Sequence, residues 1–414
     1  MVKGLALSTI TSSVVMAGGY KIPEQSLNSM ALSAAYVAHT TGADTNYFNP
    51  ANMAFMDGSK RYVEGGITLA HLPSNVYTLI DPYSGESEAE DLPIPFFHYV
   101  AKPIGDFRWG VSLTVPGGLT KRWKTPAQKA SAEEFTLRVI ELNPSISYKI
   151  ADNFSIGGGV RLIYSEGIVK SNSAELSAMI QDPTKNASRD MEGDTFEFGY
   201  NLALAYKPTS DVNVALTYRS NVDLKEEGSA KLFAYVIDST NTFYNDDASV
   251  SVPLPAALNM AISKTWNDQF TLEFNYERTF WSEYETLDFQ YKTPLPLFDA
   301  AIVKNWKDTD TFRIGATIEM DNKITAMMGF AIDETPAPVE TLGFELPDSD
   351  AKIFSMGFRY QQTEDISWGA AFLYDGKESI TVPVGTNANP VLANGGGFSE
   401  GGAFLTTIGI SYEY

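Results

Sequence analysis

The sequence predicts an all-β transmembrane fold, a 14-stranded antiparallel β-barrel closed around a helical N-terminal plug (hatch) in its lumen. Three observations carry that prediction. Apolar and polar residues alternate with a period of two over most of the chain, the links between alternating segments are short and long by turns, and the one long stretch without alternation lies near the N-terminus. Of 414 residues 44% are hydrophobic and 12% aromatic, yet no apolar run reaches the roughly 18 to 20 residues of a spanning helix.

In chain order, residues 1–17 read as a secretory signal peptide. Met1-Val2-Lys3 supplies a basic start, 5–16 a modest apolar stretch, and Val15 and Ala17 the small residues a signal peptidase reads, so cleavage is expected after Ala17. Export suits a chain without cysteine. A formal charge of −21 argues against a nucleic-acid partner, whose phosphates need a basic surface.

Residues 18–58 form the expected plug. They are rich in Ala, Ser and Gly and contain two prolines, which favours short helices and turns over strands. From residue 59 to 414 the alternation takes over. Val212, Val214, Leu216 and Tyr218 face one way and Asn213, Ala215, Thr217 and Arg219 the other; Phe270, Leu272, Phe274 and Tyr276 repeat the pattern against Glu273 and Glu277. The strands are placed at 59–71, 94–103, 107–116, 134–150, 153–171, 194–207, 212–227, 248–264, 269–281, 310–320, 323–333, 351–361, 366–376 and 402–414. Links such as Gly105-Asp106, Asn267-Asp268 and Asp321-Asn322 are tight turns, whereas those at 72–93, 117–133, 172–193, 228–247, 282–309, 334–350 and 377–401 are long. Short turns on one rim and long loops on the other, an even strand count, and aromatic residues at the ends of the apolar faces describe an outer-membrane barrel with both termini on the periplasmic side. A soluble sandwich shares the period but not the loop asymmetry. So wide a barrel needs filling, and 18–58 is available.

Gly18-Gly19-Tyr20-Lys21-Ile22-Pro23-Glu24-Gln25-Ser26, closing on Asn49-Pro50-Ala51, resembles the plug of the FadL/TodX (OMPP1) family of Gram-negative outer-membrane fatty acid and hydrocarbon transporters. Pro116-Gly117-Gly118-Leu119, Leu142-Asn143-Pro144-Ser145, Gly157-Gly158-Gly159-Val160, Tyr218-Arg219-Ser220, Trp306-Lys307-Asp308-Thr309 and Leu346-Pro347-Asp348-Ser349-Asp350 follow in that family's order. The resemblance implies a monomeric channel for passive, diffusive uptake of hydrophobic compounds, long-chain fatty acids first. Substrate would be captured by two outer loops, passed to a pocket beside Gly18, Gly19, Tyr20, Ile22, Glu24, Asn49, Pro50 and Ala51, and released sideways to outer-membrane lipid.

The outer groove falls to Leu176, Met179 and Ile180 in one long link, and to Leu232, Phe233, Tyr235, Val236, Ile237 and Phe243 in the other. Apolar runs in links that face water mark binding surfaces; packing of the two loops on each other is the plainer explanation. The lateral opening is placed at 107–116, where Gly110 removes a side chain and Pro116 an amide donor at the strand's end. Alternation puts Arg161, Arg219, Glu273, Glu277, Arg313, Glu319 and Arg359 in the lumen, where most should pair with one another and hold the plug. Some cations could instead bind a carboxylate head group, for which the resemblance favours Arg161 and, less, Lys170. The chain departs from the family pattern at Glu166, at Ala326-Met327-Met328-Gly329 and at Ala351, so uptake of neutral or aromatic hydrocarbons is the alternative.

Other classes fare less well. His39, His71 and His98 belong to no nucleophile or metal motif, so neither catalysis, a cofactor nor a metal is expected. A general porin would lack the plug, and an adhesin remains an alternative that long loops allow.

Overall fold

The computed structural model describes residues 18–235, 242–293, 295, 298–320 and 323–414. The expected signal peptide, Val236, Ile237 and the Asp321-Asn322 turn lie outside them. The wall is made of β1 (Tyr62–Leu72), β2 (Glu90–Val100), β3 (Phe107–Arg122), β4 (Glu134–Ala151), β5 (Phe154–Asn172), β6 (Ala187–Thr209), β7 (Val212–Arg219) and β8 (Val222–Ala234). It continues through β9 (Thr242–Leu254), β10 (Ala257–Trp266), β11 (Phe270–Thr279), β12 (Thr309–Glu319), β13 (Ile324–Asp333), β14 (Ala351–Gln361), β15 (Ile366–Lys377) and β16 (Ala403–Glu413). Segments β7 and β8 are one strand broken at Ser220 and Asn221, and β9 and β10 one strand broken at Pro255 and Ala256, so sixteen segments make fourteen strands. β1 pairs with β2 on one side and β16 on the other, which closes the barrel.

Closure follows from the solvent, because an unpaired amide or carbonyl facing hydrocarbon costs several kcal/mol. The period of two then sorts side chains. Ile67, Phe274, Met356 and Ile408 are exposed on the outer face, while their neighbours Thr68, Glu273, Ser355 and Thr407 are buried on the inner one.

Three sequence placements need correction. The strand expected at 212–227 breaks and then continues to Ala234, and that expected at 248–264 begins at Thr242 and breaks, so 228–235 and 242–247 are largely wall, not loop. Pro253 and Pro255 explain the second break, since neither can donate to a ladder. Likewise β3 runs on to Arg122, which puts Pro116 in mid-strand instead of at its end.

Inside lies the plug, buried at every residue from Glu24 to Ala38. Helix α1 (Leu27–Ala31) starts with a capping box in which the Ser26 and Ser29 side chains each accept from the other's backbone N–H. α2 (Thr45–Phe48) leads to a 3-10 helix (Pro50–Phe55), whose Asn49 caps the Ala51 N–H and whose proline occupies the first position, where no donor is needed. Asn-Pro-Ala is thus a helix start.

The plug is seated by side chains of the wall. Glu273 accepts the backbone N–H groups of Val37, Ala38 and His39 at 2.5, 2.9 and 2.7 Å. Ser155 donates to the Ala51 carbonyl at 2.8 Å and Ser355 to that of Ala31 at 2.8 Å. Several wall positions facing the plug admit only glycine: a Cβ on Gly157 would lie 2.6 Å from the Ala51 nitrogen, and one on Gly110 would lie 2.7 Å from the Asn46 Cβ.

Removing the Glu273 carboxylate would leave three donors, two of them buried, without their acceptor, at roughly 1 to 3 kcal/mol for each buried one. Glu273→Ala should therefore leave the barrel folded, with wild-type heat-modifiable migration on gels, but loosen the plug and raise small-solute leak in liposome swelling. Glu273→Gln should leak less than the alanine variant.

Candidate functional site

The wall is incomplete between β2 and β3. Only Phe97, His98, Tyr99 and Val100 pair with β3, against Leu113, Ser112, Val111 and Gly110. Beyond them β2 keeps its ladder to β1, and β3 keeps its ladder to β4 with a register shift between Thr114 and Gly117. The two strands meet again at the long-loop rim, where the Glu88 N–H donates to the Arg122 carbonyl at 2.8 Å and Arg122 pairs with Glu90 at 2.5 Å. A window with defined ends results.

The first residues of the plug fill its inner side. Lys21 forms a bridge with Gly117; the Ile22 N–H donates to Pro116 O and the Gly118 N–H to Tyr20 O, both at 2.9 Å. Gln25 completes this edge, its amide donating to the Val115 carbonyl at 2.8 Å and its oxygen accepting the Val115 N–H at 2.8 Å. The plug here replaces the missing strand partner.

Tyr20 lies in the space behind the window. Its hydroxyl donates to the Pro253 carbonyl, and its ring lies against Trp281, Trp306 and Tyr284 with centroids 4.8, 5.8 and 6.4 Å away. Toward the long-loop rim is an apolar cavity lined by Tyr20, Leu119, Leu137, Val169, Val252 and Trp306, with Lys304 and Glu345 as its ion pair. On the plug side a second cavity is bounded by Ile22, Tyr47, Phe48, Pro50, Pro116 and Leu254 and by the charged groups Lys21, Arg161, Arg219, Glu277 and Arg313.

Those charges come paired. Arg161 donates to Glu141 at 2.9 Å and to the Ser220 carbonyl at 2.6 Å, and Arg219 pairs with the same Glu141 while covering the Tyr47 ring at 4.3 Å. Glu277 takes Lys21 at 2.7 Å and Arg313 at 3.2 Å. Arg359 spans Glu64, Asn28 and Ser411 at 2.7, 2.6 and 2.7 Å. Glu24 differs: it is 2% exposed and neither carboxylate oxygen has a hydrogen-bond partner. Burial pushes its carboxyl up to about 8 against the pull of Arg313, with Asp375 and Asp333 also near.

The expected plug residues converge here. The Gly19 N–H donates to Asp348 at 3.1 Å, a Cβ on Gly18 would meet Asp333, and Tyr20, Ile22 and Pro50 line the cavities. Asn49 instead serves the plug, donating to Val37 O at 2.9 Å, and Ala51 packs on the wall. Gly110 lies in the paired part of β2 and β3, whereas Pro116 lies in the open part.

Other expectations change. Lys170 sits nine residues after Arg161 on one unbroken ladder, hence on the opposite face, and binds Glu134 at 3.2 Å outside the lumen. Glu319 is exposed at its strand end. In the groove, Leu232 is buried within β8, while the Phe233 and Phe243 rings meet at a tilt across the β8–β9 pair at 5.3 Å and Phe243 is exposed. Leu176, Met179 and Ile180 belong to or follow α4 (Ala174–Met179), which packs on α3 (Pro126–Ala132). The link between the two expected loops is a ladder, with 187–194 of β6 on 227–234 of β8, and Tyr235 follows it by donating to Asn186 O at 2.9 Å. Gln25, Glu141 and Lys304 escaped sequence reasoning; the signal for Gln25 and Glu141 was a polar residue in an otherwise apolar or plug-facing run.

Comparison with known proteins fits this geometry. The chain is 24% identical over 289 residues to the long-chain fatty acid transport protein of Escherichia coli K12, covering 60% of this chain and 62% of that one. It is 23% identical over 268 residues to outer membrane protein P1 of Haemophilus influenzae, covering 58% and 57%. It thus spans about 60% of the length of the curated relatives it matches. A crystal structure of a Pseudomonas aeruginosa FadL homologue superposes with a TM-score of 0.80 at 20% identity, covering 96% of this chain and 99% of that one. The Pseudomonas putida toluene transporter TodX gives 0.75 at 16%, covering 97% and 100%. The model of the outer membrane protein transport protein family (OMPP1/FadL/TodX) matches residues 8–414, and the chain belongs to that family.

Proposed function

We propose that this protein admits hydrophobic compounds through the outer membrane by passive diffusion, long-chain fatty acids first, and releases them sideways through the window between β2 and β3. One observation carries the reading: an interrupted wall, closed from within by the backbone of the plug, beside an apolar cavity. A wall gap facing hydrocarbon is costly unless something satisfies its free groups, so a removable partner there acts as a gate. Substrate would settle on Leu119, Leu137 and Val169, press on Tyr20, and pass to the bilayer when the strand from Tyr20 to Ile22 leaves β3. The relatives' names point to two substrate classes, fatty acids and toluene.

The paired cations favour the neutral class as a second reading. A fatty acid carboxylate would have to displace Glu345 from Lys304 or share Lys21 and Arg313 with Glu277, whereas a neutral ligand displaces nothing. Native mass spectrometry with a long-chain fatty acid, its methyl ester and toluene separates them. Preference for the acid, lost in Lys304→Ala, supports a head-group site; equal retention of acid and ester assigns the neutral class, and retention of none overturns uptake.

Gln25→Ala removes the clamp on Val115, worth roughly 2 to 4 kcal/mol counting the groups left bare. Uptake of a fluorescent fatty acid should rise at least several-fold, with the barrel still folded. Unchanged uptake would remove the plug edge from the gate.

Glu24 sets a pH dependence. Its buried carboxyl has a raised pKa, about 8, so it stabilises the seated plug fully below the ordinary value near 4.5, and that stability is lost as pH rises from there through 8. Small-solute leak should therefore grow between pH 5 and pH 8, and Glu24→Gln should flatten this profile.

A further inference from the structure

A second interruption lies four strands along the wall from the first. Segment β6 pairs with β7 from Tyr206 to Asn201 and with β8 from Asp194 outward, but no ladder pair joins 195–199 of β6 to 221–226 of β8. Five residues of strand span about 17 Å. At the lower end Ser220 restores contact, donating its N–H to Tyr200 O and accepting the Tyr200 N–H on its hydroxyl, both at 2.9 Å. The partner strand breaks at the same level, at Pro255 and Ala256, since Arg219 pairs with Ala257 and Val222 with Leu254.

Three features give this slit a direction. The plug-side cavity is lined here from both faces of the wall, by Arg161, Asn201 and Arg219 from the lumen and by Leu202 and Tyr218 from the bilayer. The outer lip is apolar, with Phe196, Phe198, Tyr200 and Leu202 each at least half exposed. And side chains cover the slit from the lumen: a Cβ on Gly199 would lie 2.7 Å from the Val222 methyl and 2.8 Å from the Ser220 hydroxyl, and Glu226 reaches beneath β6 to accept from Ser165 on β5 at 2.5 Å. Unlike the first window, no backbone of the plug is stitched across it among the described residues.

We propose that the slit between β6 and β8, closed by Val222 on Gly199 and by Glu226 on Ser165, is a second lateral exit through which the apolar body of a ligand in the plug-side cavity reaches the outer leaflet. The inference rests on the uptake reading above. A lumen whose charges are paired offers little to hold an apolar tail, while Leu202, Tyr218 and Phe198 continue an apolar surface from the cavity to the bilayer. Rotation of Val222 and Glu226 opens it without moving the plug.

Photolabelling of the unaltered protein in phosphatidylcholine vesicles tests this. A long-chain fatty acid with a diazirine at its tail is added outside; in a separate arm the diazirine sits on the vesicle phosphatidylcholine. Expected is fatty acid label on 195–199 and 221–226, several-fold above the phospholipid arm. Label at Tyr20 and Trp306 but not on the slit overturns the second exit alone, and no label inside the barrel overturns uptake itself. Equal labelling by phospholipid makes the slit a resident lipid site and also overturns the proposal. Because the chain has no cysteine, Gly199→Cys with Val222→Cys gives a clean lock. Oxidation should slow fatty acid release several-fold and reductant restore it; unchanged release with the disulfide formed overturns the exit.

Discussion

Every backbone amide and carbonyl facing hydrocarbon must find a partner, and the rest of this structure depends on how that requirement is met. Around most of the circumference neighbouring strands meet it, and β1 on β16 removes the last edge. They do not between 195–199 of β6 and 221–226 of β8, nor at β2 and β3. There the groups freed on Val115, Pro116 and Gly118 are taken up by Gln25, Ile22 and Tyr20, so the integrity of the wall and the position of the plug are one equilibrium. A segment that completes a sheet is held by several directional bonds yet remains a separate piece of chain, which is what a gate requires.

Charge works in the same sense. The lumen holds Arg161, Arg219, Arg313 and Arg359, each with a carboxylate from another strand or shared with the plug. In a site removed from bulk water these pairs contribute more to register than to net stability, because desolvation offsets much of their attraction. They fix Glu141 beneath Tyr47 and Glu277 beside Lys21, and so define the floor on which the plug rests. Glu24 stands apart as a buried carboxyl without such a bond.

The apolar space is divided instead of continuous. An upper cavity is walled by Tyr20, Leu119, Leu137 and Trp306 and a lower one is bounded by Ile22 and Pro116. Aromatic edge contacts with Trp281 and Trp306 hold the tyrosine, and its polar tip is satisfied by Pro253. The residue whose backbone stitches the window therefore also carries a ring that lines the upper cavity.

Much of this was legible in the chain. Period-two alternation fixes which residues face lipid, turn residues fix the rims, and Asn49-Pro50 marks a helix start, because each depends only on neighbours a few positions away. Parity alone would also have excluded Lys170 from the face of Arg161, and Pro253 and Pro255 announced the broken strand. What tertiary structure decided are matters of distance between strands. That Pro116 lies in an open stretch while Gly110 lies in a closed one depends on where β2 stops pairing. That 228–234 is wall depends on β6 being long enough to meet it. That Glu141 serves two arginines, and Lys304 faces an apolar cavity beside Glu345, depends on which segments the barrel brings together. Local sequence determined the face of each residue; only closure of the barrel around its plug determined which faces meet, because the partner of an unpaired strand edge can come from anywhere in the chain.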